Sequence, residues 1–212
     1  MRKFIKLFFT EKQREIIRYW IKSIPAYFYQ KNLSKLALLY GTDKFGDHTY
    51  TPIYERYFGG LRTNHLTLLE IGIGGGENTK YGGNSLKMWA KYFCNSQIIG
   101  IDLYDKSLLN YRRIKTYQGN QADSIFLQKF ENLDIIIDDG SHINSDIIYS
   151  FETLFPKLNI GGYYCIEDTQ TSYIDSFLDK SYPTSIAYFQ NLNSEEIDYI
   201  HFHKDLIVLR KK

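Results

Sequence analysis

Four apolar runs, each carrying an acid at or near its carboxyl end, constrain the fold more than any other feature of this chain. They are "LTLLEIGI" (66–73), "QIIGIDL" (97–103), "DIIIDD" (134–139) and "GGYYCIED" (161–168). A shorter run, "RIKTYQG" (113–119), adds a fifth. Runs this short and this continuously apolar read as strands buried on both faces. Amphipathic stretches lie between them: "GGNSLKMWAKYF", "QADSIFLQKF" and "INSDIIYSFETLFPKL". The first is expected to start its helix near Ser85, with Asn84 as N-cap. Strand–helix alternation predicts an α/β fold with a doubly wound, mostly parallel, Rossmann-like sheet. "EIDYIHFHKDLIVLRK", near the end, reads as two strands around a tight turn, which adds a terminal antiparallel hairpin.

In such sheets the ligand sits beyond the carboxyl ends of the strands. Glu70, Asp102, Asp138, Asp139, Glu167 and Asp168 are therefore expected to face one crevice. The first strand runs into Gly72, Gly74, Gly75 and Gly76, and glycines there let backbone approach a ligand closely. A dinucleotide fingerprint needs glycine at position 77, which is Glu77, and no Gly-Lys-Ser/Thr P-loop is present. A glycine turn bordered by Glu70 and Glu77 suits a cationic ligand without phosphates. Asp102, at the end of the second strand, is placed to accept ribose hydroxyls. Ribose with positive charge and no phosphate points to S-adenosylmethionine (SAM).

Adjacent carboxylates repel unless something cationic lies between them. Asp139, Glu167 and Asp168 offer three hard oxygen ligands from two strand ends, a set that suits Mg²⁺. His142 follows Asp139 across a Gly-Ser turn, and imidazole in general titrates near neutrality, as a base requires. Asp138 either joins the cofactor site or caps the following helix. His48, Lys44, Tyr50 and Tyr54 have as good a claim to structural roles as to a site. His201 and His203 are expected to have none.

The motifs "YGTDKFGDHTYTPIYERYF", "LLEIGIGGG", "GGNSLKMWAKYF", "GIDLYDK", "DIIIDDGSH" and "SFETLFPKLNIGGYYCIEDTQTSY" resemble the metal-dependent, SAM-dependent sugar O-methyltransferases of macrolide biosynthesis. The resemblance runs in order from about residue 38 to about 173. It implies a class I methyltransferase domain over 38–212. Glu70, Gly72 and Gly74 would hold the methionine part of SAM, and Asp102 the ribose. Gln121 and Asp123 would lie near the adenine, unless they only cap a helix. Ser85 and Asp138 are grouped with these cofactor residues. The resemblance also implies Asp139, Glu167 and Asp168 as metal ligands and His142 as general base. Ile174, Asp175 and Ser176 depart from the aromatic and glycine-rich continuation common in the family, so acceptor choice is not implied. The same ligand set could serve a non-sugar acceptor, by catechol-like methylation or by hydroxylation of the cephalosporin-hydroxylase kind.

Residues 1–35 carry nine Lys/Arg and two acids. This basic segment, 1–37 in all, is expected to form amphipathic helices with Phe4, Leu7, Phe8, Ile16, Ile17, Trp20, Ile21 and Ile24 on apolar faces. Packing on the main domain, homo-oligomerisation and contact with an anionic membrane surface are the alternatives. The net charge of +2 demands no nucleic-acid partner. No apolar run is long enough to span a bilayer, and the N-terminus does not read as a signal peptide, so the cytoplasm is the expected location. Cys94 and Cys165 lack metal-ligand spacing and are expected to be buried thiols.

Overall fold

A computed structural model describes residues 9–212. Phe4, Leu7 and Phe8 lie outside the described residues. The helices are α1 (Glu11–Phe28), α2 (Leu33–Tyr40), α3 (Tyr50–Phe58), α4 (Asn84–Tyr92), α5 (Ser124–Leu127), α6 (Asn144–Leu154) and α7 (Ser185–Asn191). The strands are β1 (Thr67–Ile71), β2 (Gln97–Asp102), β3 (Ile114–Gln118), β4 (Leu133–Asp138), β5 (Leu158–Glu167), β6 (Ile197–His203) and β7 (Leu206–Lys211). All five sequence-predicted strands and the terminal hairpin are present. β5 starts earlier than expected, because Leu158 pairs with Leu133 before a register shift.

The strands are hydrogen-bonded in the order β3-β2-β1-β4-β5-β7-β6. β1 and β4 run parallel, as do β4 and β5. β7 is antiparallel to both β5 and β6. Strand order reverses between β1 and β4, the place where open α/β sheets put their ligand crevice. There Ile71 is in register with Asp138, and Asp138 with Ile166.

The chain divides into two compact units. One comprises residues up to His65 with Ile73–Gly100 and Tyr104–Tyr117; the other comprises Leu66–Gly72, Ile101–Leu103 and Gln118–Lys212. The core of the first is aromatic. Tyr54, Phe58, Trp89 and Phe93 are fully buried, with Tyr54 and Trp89 rings 5.5 Å apart edge to face. The second buries the aliphatic residues Leu68, Ile135, Ile136, Ile137, Val208 and Leu209 together with Phe151, Tyr164 and Phe189.

Helix ends follow their local chemistry. Thr10 caps α1 in a capping box with Gln13, each side chain accepting from the other's backbone N–H. Asn32 caps α2, which ends at Gly41 with φ 74°. At α4 the expectation fails by one position. Gly83, with φ 65°, is the N-cap, and Asn84 is already helical. The Asn84 amide instead donates to the Gly41 carbonyl at 3.0 Å. The apolar residues of α1 do not all pack inward. Trp20, Ile21 and Ile24 are exposed, whereas Ser23 and Ala26 are buried. Cys165 is buried as expected, but Cys94 is exposed. Its thiol donates to the Arg62 carbonyl at 3.6 Å.

Candidate active site

The second unit brings together Asp139, His142 and Asp168. One ligand atom from each lies within 4.8 Å of the others. Asp139 follows β4 directly, and Asp168 follows β5 directly. His142 Nε2 stands 3.6 Å from Asp168 Oδ2. His142 and Asp168 both adopt left-handed backbone, with φ 59° and 54°. Side chains rarely take this conformation, and it tends to persist at functional sites. Here it turns the chain sharply at both strand exits. Glu167, one residue before Asp168, is 2% exposed and is not one of the three clustered groups. Adjacent strand residues point to opposite faces, so the two acids of "IED" do not share a direction by default.

The turn carrying His142 is braced from beneath. Gln121 is buried, and its Oε1 accepts from Ser141 N–H at 2.7 Å. Its Nε2 donates to Asp138 Oδ1 at 3.3 Å. Gly140 makes room for it, since a Cβ there would meet Gln121 Oε1 at 1.9 Å. The Ser141 hydroxyl donates to Asp146 at 2.7 Å. Asp138 itself is buried and points away from solvent, accepting from the Ser150 and Tyr164 hydroxyls. Burial pushes its carboxyl up to about 6, against these hydrogen bonds, which pull it down. Burial, with the Asp138 charge beside it, raises the Tyr164 phenol in turn.

The strand exits themselves are locked together. Asp139 N–H donates to the Ile71 carbonyl at 3.0 Å, and Gly72 N–H to Ile101 at 2.9 Å. Gly72 has φ 75°, and a Cβ there would lie 1.9 Å from the Asp139 carbonyl oxygen. Only glycine fits this contact, which ties the end of β1 to the acid cluster. Glu70 is fully buried on β1 and Asp102 is half-buried at the end of β2. Asp123 is exposed and caps α5, accepting from Phe126 N–H at 3.1 Å.

The first unit holds the remaining glycines and Ser85, which is buried in the first turn of α4. Gly74 has open space around it, whereas a Cβ on Gly75 would strike Tyr81 backbone at 2.3 Å. The loop is held by Lys106, which is buried and donates to the carbonyls of Gly76, Asn78 and Tyr81 at 2.8, 3.0 and 3.1 Å. His48 stacks on Tyr50 at 4.7 Å, and Lys44 is fully buried. His201 stacks on Tyr199 in the hairpin.

Several contributors were not singled out from sequence. Ser141, Asp146, Ser150 and Tyr164 support the Asp138–His142 stretch, and Lys106 supports the glycine loop. Asn144 is fully buried. Its amide donates to the carbonyls of Ser172 and Phe177 at 3.1 Å, and its oxygen accepts from Ser185 N–H at 2.6 Å. This stitches residues 172–185 to the first turn of α6 and leaves the Phe177 ring 6.2 Å from the His142 ring. An Asn two residues after "SH" was the available signal. Its partners, 28 to 41 residues away, were not legible.

Comparison with known proteins bears on this geometry. The chain is 36% identical over 206 residues to the 8-demethyl-8-alpha-L-rhamnosyl tetracenomycin-C 2'-O-methyltransferase of Streptomyces olivaceus, covering 85% of this chain and 54% of that one. It is 45% identical over 151 residues to the mycinamicin VI 2''-O-methyltransferase of Micromonospora griseorubida, covering 69% and 38%. The chain is a homologue of these sugar O-methyltransferases. The solved structure of the mycinamycin-pathway methyltransferase MycE, in complex with Mg, SAH and mycinamycin VI, superposes with a TM-score of 0.81 at 38% identity, over 85% of this chain and 54% of that one. The chain thus spans about half the length of the sugar O-methyltransferases it matches. No family model matches it.

Proposed function

We propose that this chain transfers a methyl group from SAM to a hydroxyl of a sugar or glycosylated acceptor, with Mg²⁺ as resident metal. The observation that carries the proposal is the convergence of Asp139, His142 and Asp168 at neighbouring strand exits, in a homologue of sugar O-methyltransferases. The donor chemistry fits the metal. Two carboxylates so close together repel each other in the absence of a cation, and hard oxygens with an imidazole suit a hard divalent ion. Asp139, Glu167 and Asp168 would hold it. When bound, such an ion polarises the acceptor oxygen and eases loss of its proton.

The other roles belong to the protein's own groups. His142 is the base that takes the acceptor proton, its ring standing beside the proposed metal ligand Asp168, with Nε2 3.6 Å from Oδ2. Glu70, Gly72 and Gly74 cradle the methionine end of SAM and Asp102 holds the ribose. Ser85, Gln121, Asp123 and Asp138 complete the cofactor side. For Gln121 and Asp138 this support is exerted through the hydrogen bonds that shape the 138–142 turn.

The grouping of His142 with the two carboxylates favours a second reading of that residue, as a metal ligand in place of Glu167. A His142→Ala protein separates the two. As a base, its loss leaves Mg²⁺ and SAM affinity intact and abolishes turnover. As a ligand, its loss weakens Mg²⁺ binding directly, and Glu167→Gln does not. The activity itself is tested by SAM consumption over nucleotide-sugars and glycosylated small molecules, with Mg²⁺ or with chelator. A product heavier by one methylene is the expected outcome. A product heavier by one oxygen, or full turnover in chelator, would overturn the proposal.

A further inference from the structure

α1 leaves an apolar stripe exposed. Its inward side presents Ser23 and Ala26, and Lys22 donates to the Tyr40 carbonyl at 3.2 Å. Its outward side presents Trp20, Ile21, Ile24, Tyr27 and Phe28, which are 46%, 62%, 72%, 69% and 77% exposed. At 3.6 residues per turn these five fall on one stripe roughly 120° wide. A contiguous apolar face of this kind marks an interaction surface.

Cations surround the stripe. The Arg112 guanidinium stacks on the Trp20 ring at 4.5 Å, and Lys35 lies 5.3 Å over the Tyr29 ring. Beside Trp20, in the same compact unit, a cavity of about 190 Å³ is lined by Lys91, Arg112 and Arg113, with Tyr19 and Tyr111 and no acidic residue. Trp20 donates to the Tyr111 hydroxyl at 2.9 Å, so stripe and cavity share a wall. Arg113 is spent on the carbonyls of Phe93, Ser96 and Ala90, which leaves Lys91 and Arg112 to face an incoming group. The acids of α1 do not offset these charges. Glu11 is paired with Lys80 at 2.8 Å and Glu15 with Lys87 at 3.2 Å.

We infer that this face docks on an anionic lipid surface, the α1 stripe entering the headgroup–acyl boundary and Lys91 and Arg112 taking headgroup phosphates. Charge decides among occupants. In a two-fold pair of identical chains the same cations would meet each other, a costly juxtaposition. An anionic bilayer satisfies the aromatic and aliphatic stripe and the cationic rim together. No described helix is long and apolar enough to cross a membrane, so the contact is peripheral. The inference is independent of the methyl-transfer proposal.

The test is flotation of the full chain with vesicles of phosphatidylcholine alone or mixed with phosphatidylglycerol, at low and high salt. Binding is expected only to the mixed vesicles and should weaken with salt. The paired change Ile24→Asp and Phe28→Asp should reduce binding at least about tenfold, and Lys91→Gln with Arg112→Gln should reduce it on mixed vesicles. All four positions lie outside the proposed site, and circular dichroism checks folding. Trp20 gives a local readout. The other tryptophan, Trp89, is fully buried, so a blue shift on mixing comes from Trp20 and should vanish in Trp20→Phe. No flotation, equal flotation with neutral vesicles, or full binding by Ile24→Asp/Phe28→Asp overturns the inference. So does a concentration-dependent dimer that those two changes dissolve while vesicles leave the protein unbound.

Discussion

Gly72→Ala should damage this protein far more than its single added methyl implies. At φ 75° an alanine pays roughly 1–2 kcal/mol for left-handed backbone. Its Cβ would also fall 1.9 Å from the Asp139 carbonyl oxygen and 2.8 Å from Gly140 Cα. Neither is a side-chain tip that can swing away, so the strand exits must separate, at a further cost of about 1–3 kcal/mol for overpacking. The sum, about 2–5 kcal/mol, is a large part of the stability of an ordinary domain. Gly74→Ala is the matched control. It has φ 72° but nothing within 4 Å, so it carries the backbone cost alone. Urea unfolding of both proteins in chelator, with m-values compared, measures the difference. Mg²⁺ calorimetry then reports on the site, because pushing the Asp139 backbone aside should weaken metal binding in Gly72→Ala and not in Gly74→Ala. If the two variants unfold at the same urea concentration, the close approach of the β1 and β4 exits is wrong.

Further outcomes follow from the supports of the site. Lys106→Met removes three hydrogen bonds to the carbonyls of the 76–81 loop, and should lower unfolding free energy by about 2–4 kcal/mol and weaken SAM binding by calorimetry. Asn144→Ala strands the partners in 172–185, and should cost about 2–4 kcal/mol and speed limited proteolysis within that segment. Gln121→Ala unties Ser141 from Asp138, and should lower turnover with Mg²⁺ present while leaving the metal affinity within about threefold, since Gln121 is not a proposed ligand.

The sheet was legible because buried parallel strands need continuous apolar runs, and "DIIID" and "LTLLEI" can do little else. The acids at the strand exits were legible for the same reason, as polar groups that end such runs. What sequence could not supply was direction. "IED" offers two carboxylates in series, and the left-handed backbone at Asp168, which stands with Asp139 and His142, is not readable from the sequence. Gln121 was matched to the cofactor by the family resemblance. Its place under Ser141 depends on Gly140, 19 residues on, lacking a Cβ. In α1 the hydrophobic period was visible, yet it does not say whether the apolar stripe faces the chain's own core or outward. The small residues Ser23 and Ala26 take the inner side because α1 packs closely on its neighbours there.

The proposed chemistry depends on a divalent cation held by Asp139 and Asp168. Titrating Mn²⁺ into the protein and following free Mn²⁺ by electron paramagnetic resonance tests this directly, with Asp139→Asn and Asp168→Asn beside the natural chain. One tight site per chain, competed by Mg²⁺ and weakened at least about tenfold by either substitution, is the predicted result. Equal Mn²⁺ affinity in all three proteins would contradict it.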